Sequence, residues 1–135
     1  MSEHRDGTHP VPRRSRIIMV RHGETKWNAE MRIQGHKDSP LTAVGLRQAE
    51  AVAARLSSEK LDAIYASDLG RVRQTVEPLV KATGLAPKYD EALRERNYGE
   101  FEGKTLEELE LEFPGQFAKL RTGNPHGVPP GGESL

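Results

Sequence analysis

Arg21 and His22 stand side by side in "IIMVRHGETKWN", directly after four apolar residues and directly before Gly23. Arginine carries a planar fork that binds two oxygens of one anion, and it keeps its charge. An imidazole among such groups is held toward its neutral form, because like charge lowers its pKa. Neutral imidazole is a nucleophile and can attack phosphorus to give a phosphohistidine. Two more residues belong with this pair: Arg71, just beyond "YASD", and Glu95, in "ALRERNYGEFEG". Two fixed cations, an imidazole and a carboxyl able to protonate a leaving alcohol oxygen point to phosphoryl transfer. Glu95 has acidic neighbours at Glu91, Glu100 and Glu102, so spacing alone does not single it out.

These residues must be delivered by elements. Arg16 to Val20 reads as a strand buried on both faces, the kind found in the middle of parallel sheets. Thr42 is a good N-cap for a helix carrying Leu46, Ala49, Val52, Ala53 and Leu56 at helical spacing and ending near Lys60. A second strand follows at about Ala63 to Ala66. Asp68 can cap a second helix, which Pro78 interrupts and Gly84 closes. Arg71 and Arg73 share that helix, and Arg73 is assigned to the surface. Ala86 to Tyr89 reads as a weak third strand. Thr105 to Glu108 form a capping box for a short helix, and Pro114 opens another. Strands alternating with helices imply βαβ units. Ligands of open α/β sheets bind beyond the carboxyl ends of the strands. Arg21, His22, Arg71 and Glu95 all follow strand ends, so they are expected to share one crevice.

The 135 residues suit one domain, and twenty basic and twenty acidic residues cancel. Zero net charge argues against a general nucleic-acid or membrane-surface binder. The absence of cysteine excludes disulfides, thiolate zinc sites and thiol catalysis. No apolar run reaches the length of a membrane span and no signal core opens the chain, so a soluble cytoplasmic protein is expected. Met1 to Ser15 reads as a disordered tail and Thr122 to Gly132 as loop. His4, His9 and His36 are too irregularly spaced for a metal site. Glu107, Glu108, Glu110 and Glu112 are expected to face solvent. Glu133 to Leu135 look like a helix opening, so the sequence is expected to end mid-fold.

"VRHGETKWN" resembles the signature of the histidine phosphatase superfamily, the phosphoglycerate mutase-like proteins. "RIQGHKDSPLTAVGLRQAE", "YASDLGRVRQT", "LRERNYGEFEG" and "PPGGESL" resemble its further motifs in the family's order, so the likeness runs from Ile17 to Leu135. It implies an α/β, three-layer fold with a mainly parallel sheet, formed here by residues 16–135 as the N-terminal portion of a single domain. It implies that His22 is the phosphorylated nucleophile and that Arg21 and Arg71 hold the phosphate. Asn28 would hydrogen-bond the phosphoryl oxygens, Gln34 and Gly35 would line the substrate pocket, and Glu95 would be the proton donor. No metal or organic cofactor would be needed. The family's second catalytic histidine lies beyond the "PPGGES" motif, where this sequence has no residues; His126-Gly127 precedes that motif and is not expected to replace it.

The function expected is phosphomonoester hydrolysis on small phosphorylated metabolites. The "QGHKDSPLT" and "GEFEGKTLEEL" stretches look more like the small phosphatases than the mutases. The alternatives are mutase-type phosphoryl transfer and a phosphate-binding remnant without turnover. The partner set is a small phosphorylated substrate, with neither nucleic acid nor membrane. A homodimer is the assembly in which another chain would supply missing strands.

Overall fold

The computed structural model describes residues 14–124 and 127–134. The tail expected over Met1 to Ser15 therefore lies, through residue 13, outside the described residues, as do His126 and Leu135. Lys26–Ala29 form α1, a single turn closed by a capping box. Thr25 accepts the Asn28 N–H, and the Asn28 side chain accepts the Thr25 N–H. Thr42 caps α2, Ala43–Leu56, by accepting the Gly45 N–H. That helix stops four residues short of Lys60.

β1 is Tyr65–Ala66, α3 is Gly70–Thr83 and β2 is Lys88–Tyr89. The two strands pair in parallel, Tyr65 opposite Lys88 and Ala66 opposite Tyr89, so β1-α3-β2 is the expected crossover unit. Gly84 ends α3 in the left-handed conformation, and Pro78 sits inside the helix without breaking it. Asp68 is not the cap of α3. Leu69 takes that position without a side-chain bond, because the Asp68 carboxylate is engaged by Arg94 through two charge-assisted bonds of 2.6 Å.

The expected first strand is corrected. Residues 16–20 run without regular secondary structure, because no described residue pairs with their backbone. Four of these five residues are exposed and only Ile18 is partly buried, so neither face is covered. Ile18 packs on the cluster of Ala53, Leu56, Ile64 and Leu79 between α2 and α3, while Ile17 and Met19 are 81% and 91% exposed. The ordered sheet thus has two strands rather than three.

Thr105 and Glu108 make the expected capping box on α4, Leu106–Glu112, and α5 follows at Gln116–Arg121. A second cluster of Phe101, Leu109 and Leu120, joined by Ile33, Tyr98, Phe113 and Phe117, packs these helices against the loop that carries Glu95. The acidic residues of α4 are exposed as expected, yet Glu108 pairs with Arg32 and Glu112 with Lys104. Glu133 and Ser134 are not helical.

One contact fixes α2 relative to His22. A Cβ on Gly45 would lie 2.1 Å from the Glu24 carbonyl oxygen, and one on Gly23 would lie 2.5 Å from the Gly45 carbonyl oxygen. Real atoms cannot approach so closely, so both positions require glycine. Gly45→Ala is expected to destabilise the fold by about 1–3 kcal/mol through overpacking. Chemical denaturation measures it, and an unchanged midpoint would refute the close approach.

Candidate active site

Arg21, His22, Asn28, Gln34, Gly35, Arg71 and Glu95 all line one open cavity, together with Ile33, Tyr98 and Phe117. Its volume of about 200 Å³ lies below the range of drug-sized ligand sites and suits a phosphate-sized group with a small attachment. All seven residues singled out in the sequence therefore meet in one place. Arg21 and Glu95 are exposed at this cavity, His22 is half-buried, and Arg71 is buried at 1% exposure.

His22 is oriented by its own neighbour. Its Nδ1 lies 2.7 Å from the Gly23 carbonyl oxygen. A carbonyl can only accept, so Nδ1 carries the proton and Nε2 keeps the lone pair. Gly23 is fixed in turn, its N–H donating to Thr75 Oγ1 at 3.0 Å. The imidazole pKa is lowered from its ordinary value. Burial is the largest cause, and the nearby Arg71 and Arg21 charges add to it against the raising effects of the Gly23 carbonyl and Asp38. Like charge thus contributes as the sequence suggests, but burial leads.

Arg71 is pinned through its fork. Nη2 donates to the Gly35 carbonyl at 2.7 Å, and Nη1 donates to the Lys37 carbonyl at 2.8 Å and to Asp38 Oδ1 at 3.2 Å. Its Nε is buried with no protein hydrogen-bond partner among the described residues. Gly35 has φ +135°, and a Cβ there would lie 2.1 Å from Glu102 Oε1, so only glycine brings this carbonyl up to the arginine.

Asn28 and Gln34 are oriented alike. Asn28 Oδ1 accepts the Thr25 N–H, and Gln34 Oε1 accepts from Thr25 Oγ1 at 2.8 Å and Ser39 Oγ at 3.3 Å. With both carbonyl oxygens used, each amide has its nitrogen to offer a ligand. Thr25, at 0% exposure, is the hub of both contacts and escapes sequence reading, as do Asp38 and Thr75. Only its place inside "RHGET" marks Thr25 beforehand. Arg73 is exposed, stacked 3.8 Å over the Tyr89 ring, and takes no part in the cavity. His36 lies 3.7 Å from Glu133, and no group of three metal-ligating side chains gathers among the described residues.

A parallel βαβ unit whose strands lead to Arg71 and Glu95, with an imidazole and a second arginine lining the same cavity, is the framework of an anion-handling α/β protein. The chain belongs to the histidine phosphatase superfamily (branch 1), whose family model matches residues 17–135. It is 44% identical over 119 residues to a probable phosphoglycerate mutase GpmB of Salmonella choleraesuis, covering 88% of this chain and 55% of that protein. Among solved structures it resembles a mycobacterial glucosyl-3-phosphoglycerate phosphatase in complex with VO3, at 35% identity and a TM-score of 0.78 over 84% of this chain and 54% of that one. YhfR of Bacillus stearothermophilus matches at 42% identity and a TM-score of 0.77, over 84% and 56% of the two chains. The α-ribazole phosphatase of Shigella flexneri matches at 28% identity and a TM-score of 0.78, over 85% and 57%. The chain spans about half the length of the curated relatives it matches. No helix among the described residues is long and apolar enough to cross a membrane.

Proposed function

We propose that residues 16–135 form the N-terminal portion of one histidine phosphatase domain, which hydrolyses small phosphomonoesters through a phosphohistidine at His22. The observation that carries this reading is the buried Arg71, pinned by two carbonyls and a carboxylate, near an imidazole; among the described residues the Arg71 Nε and the His22 Nε2 have no hydrogen-bond partner. A guanidinium held so rigidly is preorganised for the equatorial oxygens of a phosphoryl group. Arg21 and the amide nitrogens of Asn28 and Gln34 supply the remaining donors. His22 Nε2 attacks phosphorus, the bond to the ester oxygen breaks, and Glu95 gives that oxygen its proton. The Gly23 carbonyl accepts the Nδ1–H throughout and stabilises the charged, phosphorylated ring. Water then attacks phosphorus, its proton passes to the Glu95 carboxylate, and the N–P electron pair returns to Nε2.

Rapid mixing with a phosphorus-labelled aryl phosphate, quenched without acid, tests this. Acid-labile, alkali-stable label on His22 with continuing phosphate release is the expected result. Label without release supports the first half-reaction alone; no label in a folded chain that binds phosphate refutes the enzyme reading. The kinship with probable phosphoglycerate mutases favours a second reading, phosphoryl return to substrate. Stimulation by a bisphosphoglycerate separates the two. The same proposal includes a cytoplasmic location and a homodimer, the latter checked by sedimentation.

The lowered pKa of His22 fixes a pH dependence. The nucleophile must be neutral, so the acid limb of labelling in the free protein is expected to lie below about pH 6.5. A profile of labelling rate per substrate concentration reads this pKa directly. An acid limb centred above 6.5 would contradict the burial of the ring.

A further inference from the structure

Glu95 sits on a loop between two short 3-10 turns, Glu91–Leu93 and Gly99–Phe101. Among the described residues its carboxylate accepts only the N–H of Arg96, its own neighbour, at 2.8 Å. A proton donor must be held within hydrogen-bond reach of the leaving oxygen, and a loop alone does not hold it. Two anchors flank this position. Before it, Arg94 makes a two-pronged pair with Asp68, Nε to Oδ1 and Nη2 to Oδ2, each 2.6 Å. Asp68 is fixed between β1 and α3, the unit that carries Arg71. After it, Asn97 and Glu133 bond in both directions. The Asn97 N–H donates to Glu133 Oε2 at 2.6 Å, and the Glu133 N–H donates to the Asn97 carbonyl at 2.8 Å. Arg96 Nε donates to the Glu133 carbonyl at 2.7 Å and Nη2 to the Gly127 carbonyl at 3.0 Å. The Glu100 N–H reaches the Pro130 carbonyl at 2.9 Å. The strap of residues 127–134 lies so close that a Cβ on Gly99 would be 2.1 Å from the Pro130 oxygen.

We propose that Glu133 and Asp68 are positioning residues for Glu95: they clamp its loop from both sides and hold the carboxyl at the mouth of the His22 cavity. This rests on the phosphatase reading, with Glu95 as proton donor. A positioning role has a signature that general loosening lacks. An aryl phosphate with a very good leaving group, 2,4-dinitrophenyl phosphate, needs no proton donor, whereas phenyl phosphate does. Glu133→Ala is expected to slow His22 labelling from phenyl phosphate by about 10²-fold, the cost of an ångström-scale misplacement, and labelling from dinitrophenyl phosphate by less than about 3-fold. Glu133→Gln keeps an oxygen for the Asn97 N–H and is expected to recover most of the loss. Equal slowing of both substrates, or of neither, would overturn the proposal. Should Glu133→Ala not fold, Asp68→Asn at the opposite anchor carries the same comparison with the same outcomes. Failure of the unaltered chain to label from either substrate would instead overturn the phosphatase reading and the clamp with it.

Discussion

Arg71→Ala is expected to destabilise the protein by about 3–5 kcal/mol, the cost of breaking a buried pair by removing one partner, and to abolish phosphate binding. The residue is 1% exposed, and its side chain satisfies the Gly35 carbonyl, the Lys37 carbonyl and Asp38 Oδ1 together. Alanine leaves those acceptors without their donor. Asp38 is about a third exposed and can turn to water, so the loss belongs at the low end of that range. Arg71→Lys separates stability from binding. Its ammonium keeps a charge for Asp38, but it cannot span the carbonyls and also present a donor in the Nε position. Inorganic phosphate, which binds the native state alone, is expected to raise the melting temperature of the unaltered protein by mass action. That increment is expected to vanish in Arg71→Lys while most of the fold's stability returns. A lysine variant with the full phosphate increment would show that the anion is held elsewhere.

What was legible in the sequence divides along contact distance. The residues that meet in the cavity announce themselves, because arginine, histidine and glycine in "RHG" carry their chemistry in their type, and the two strands of the βαβ unit lead to Arg71 and Glu95. The partners that hold them are not legible. Arg71 meets Asp38 across 33 positions, Arg94 meets Asp68 across 26, and Asn97 meets Glu133 across 36. Nothing in residue type selects those acids from the twenty in the chain. Asp68 shows the consequence. It has the right type for a helix cap, but it stands one residue before the cap position, and a two-pronged arginine pair takes its carboxylate. Residues 16–20 fail for a related reason. Their apolar run states what the segment tolerates on each face, whereas actual burial depends on which neighbours pack there. In the described residues the α2–α3 core covers Ile18 and leaves Ile17 and Met19 bare. The pKa of His22 follows the same pattern: the neighbouring Arg21 charge is visible in the sequence, while burial, its leading cause, needs the fold.

His22→Asn is expected to remove the covalent label entirely and to lower any turnover by at least about 10⁴-fold, as loss of a nucleophile does elsewhere. The same substitution reports on the native ring by a route independent of activity. Asparagine can still donate to the Gly23 carbonyl, so the segment keeps its local bond. What it lacks is a titrating group. His22 has a lowered pKa in the folded state, so below about pH 6.5 the unfolded chain takes up a proton that the folded ring resists. The unaltered protein therefore holds this part of its stability above 6.5 and loses it as pH falls toward the lower, folded value. The variant has no such loss. Denaturation of both at about pH 7.5 and about pH 5.5, on either side of the ordinary histidine pKa, is expected to show the His22→Asn variant gaining on the unaltered protein as the solution is acidified. If the gap stays constant, or the unaltered protein gains instead, the ring is not held neutral, and the nucleophile assigned here would need an outside base before it could attack.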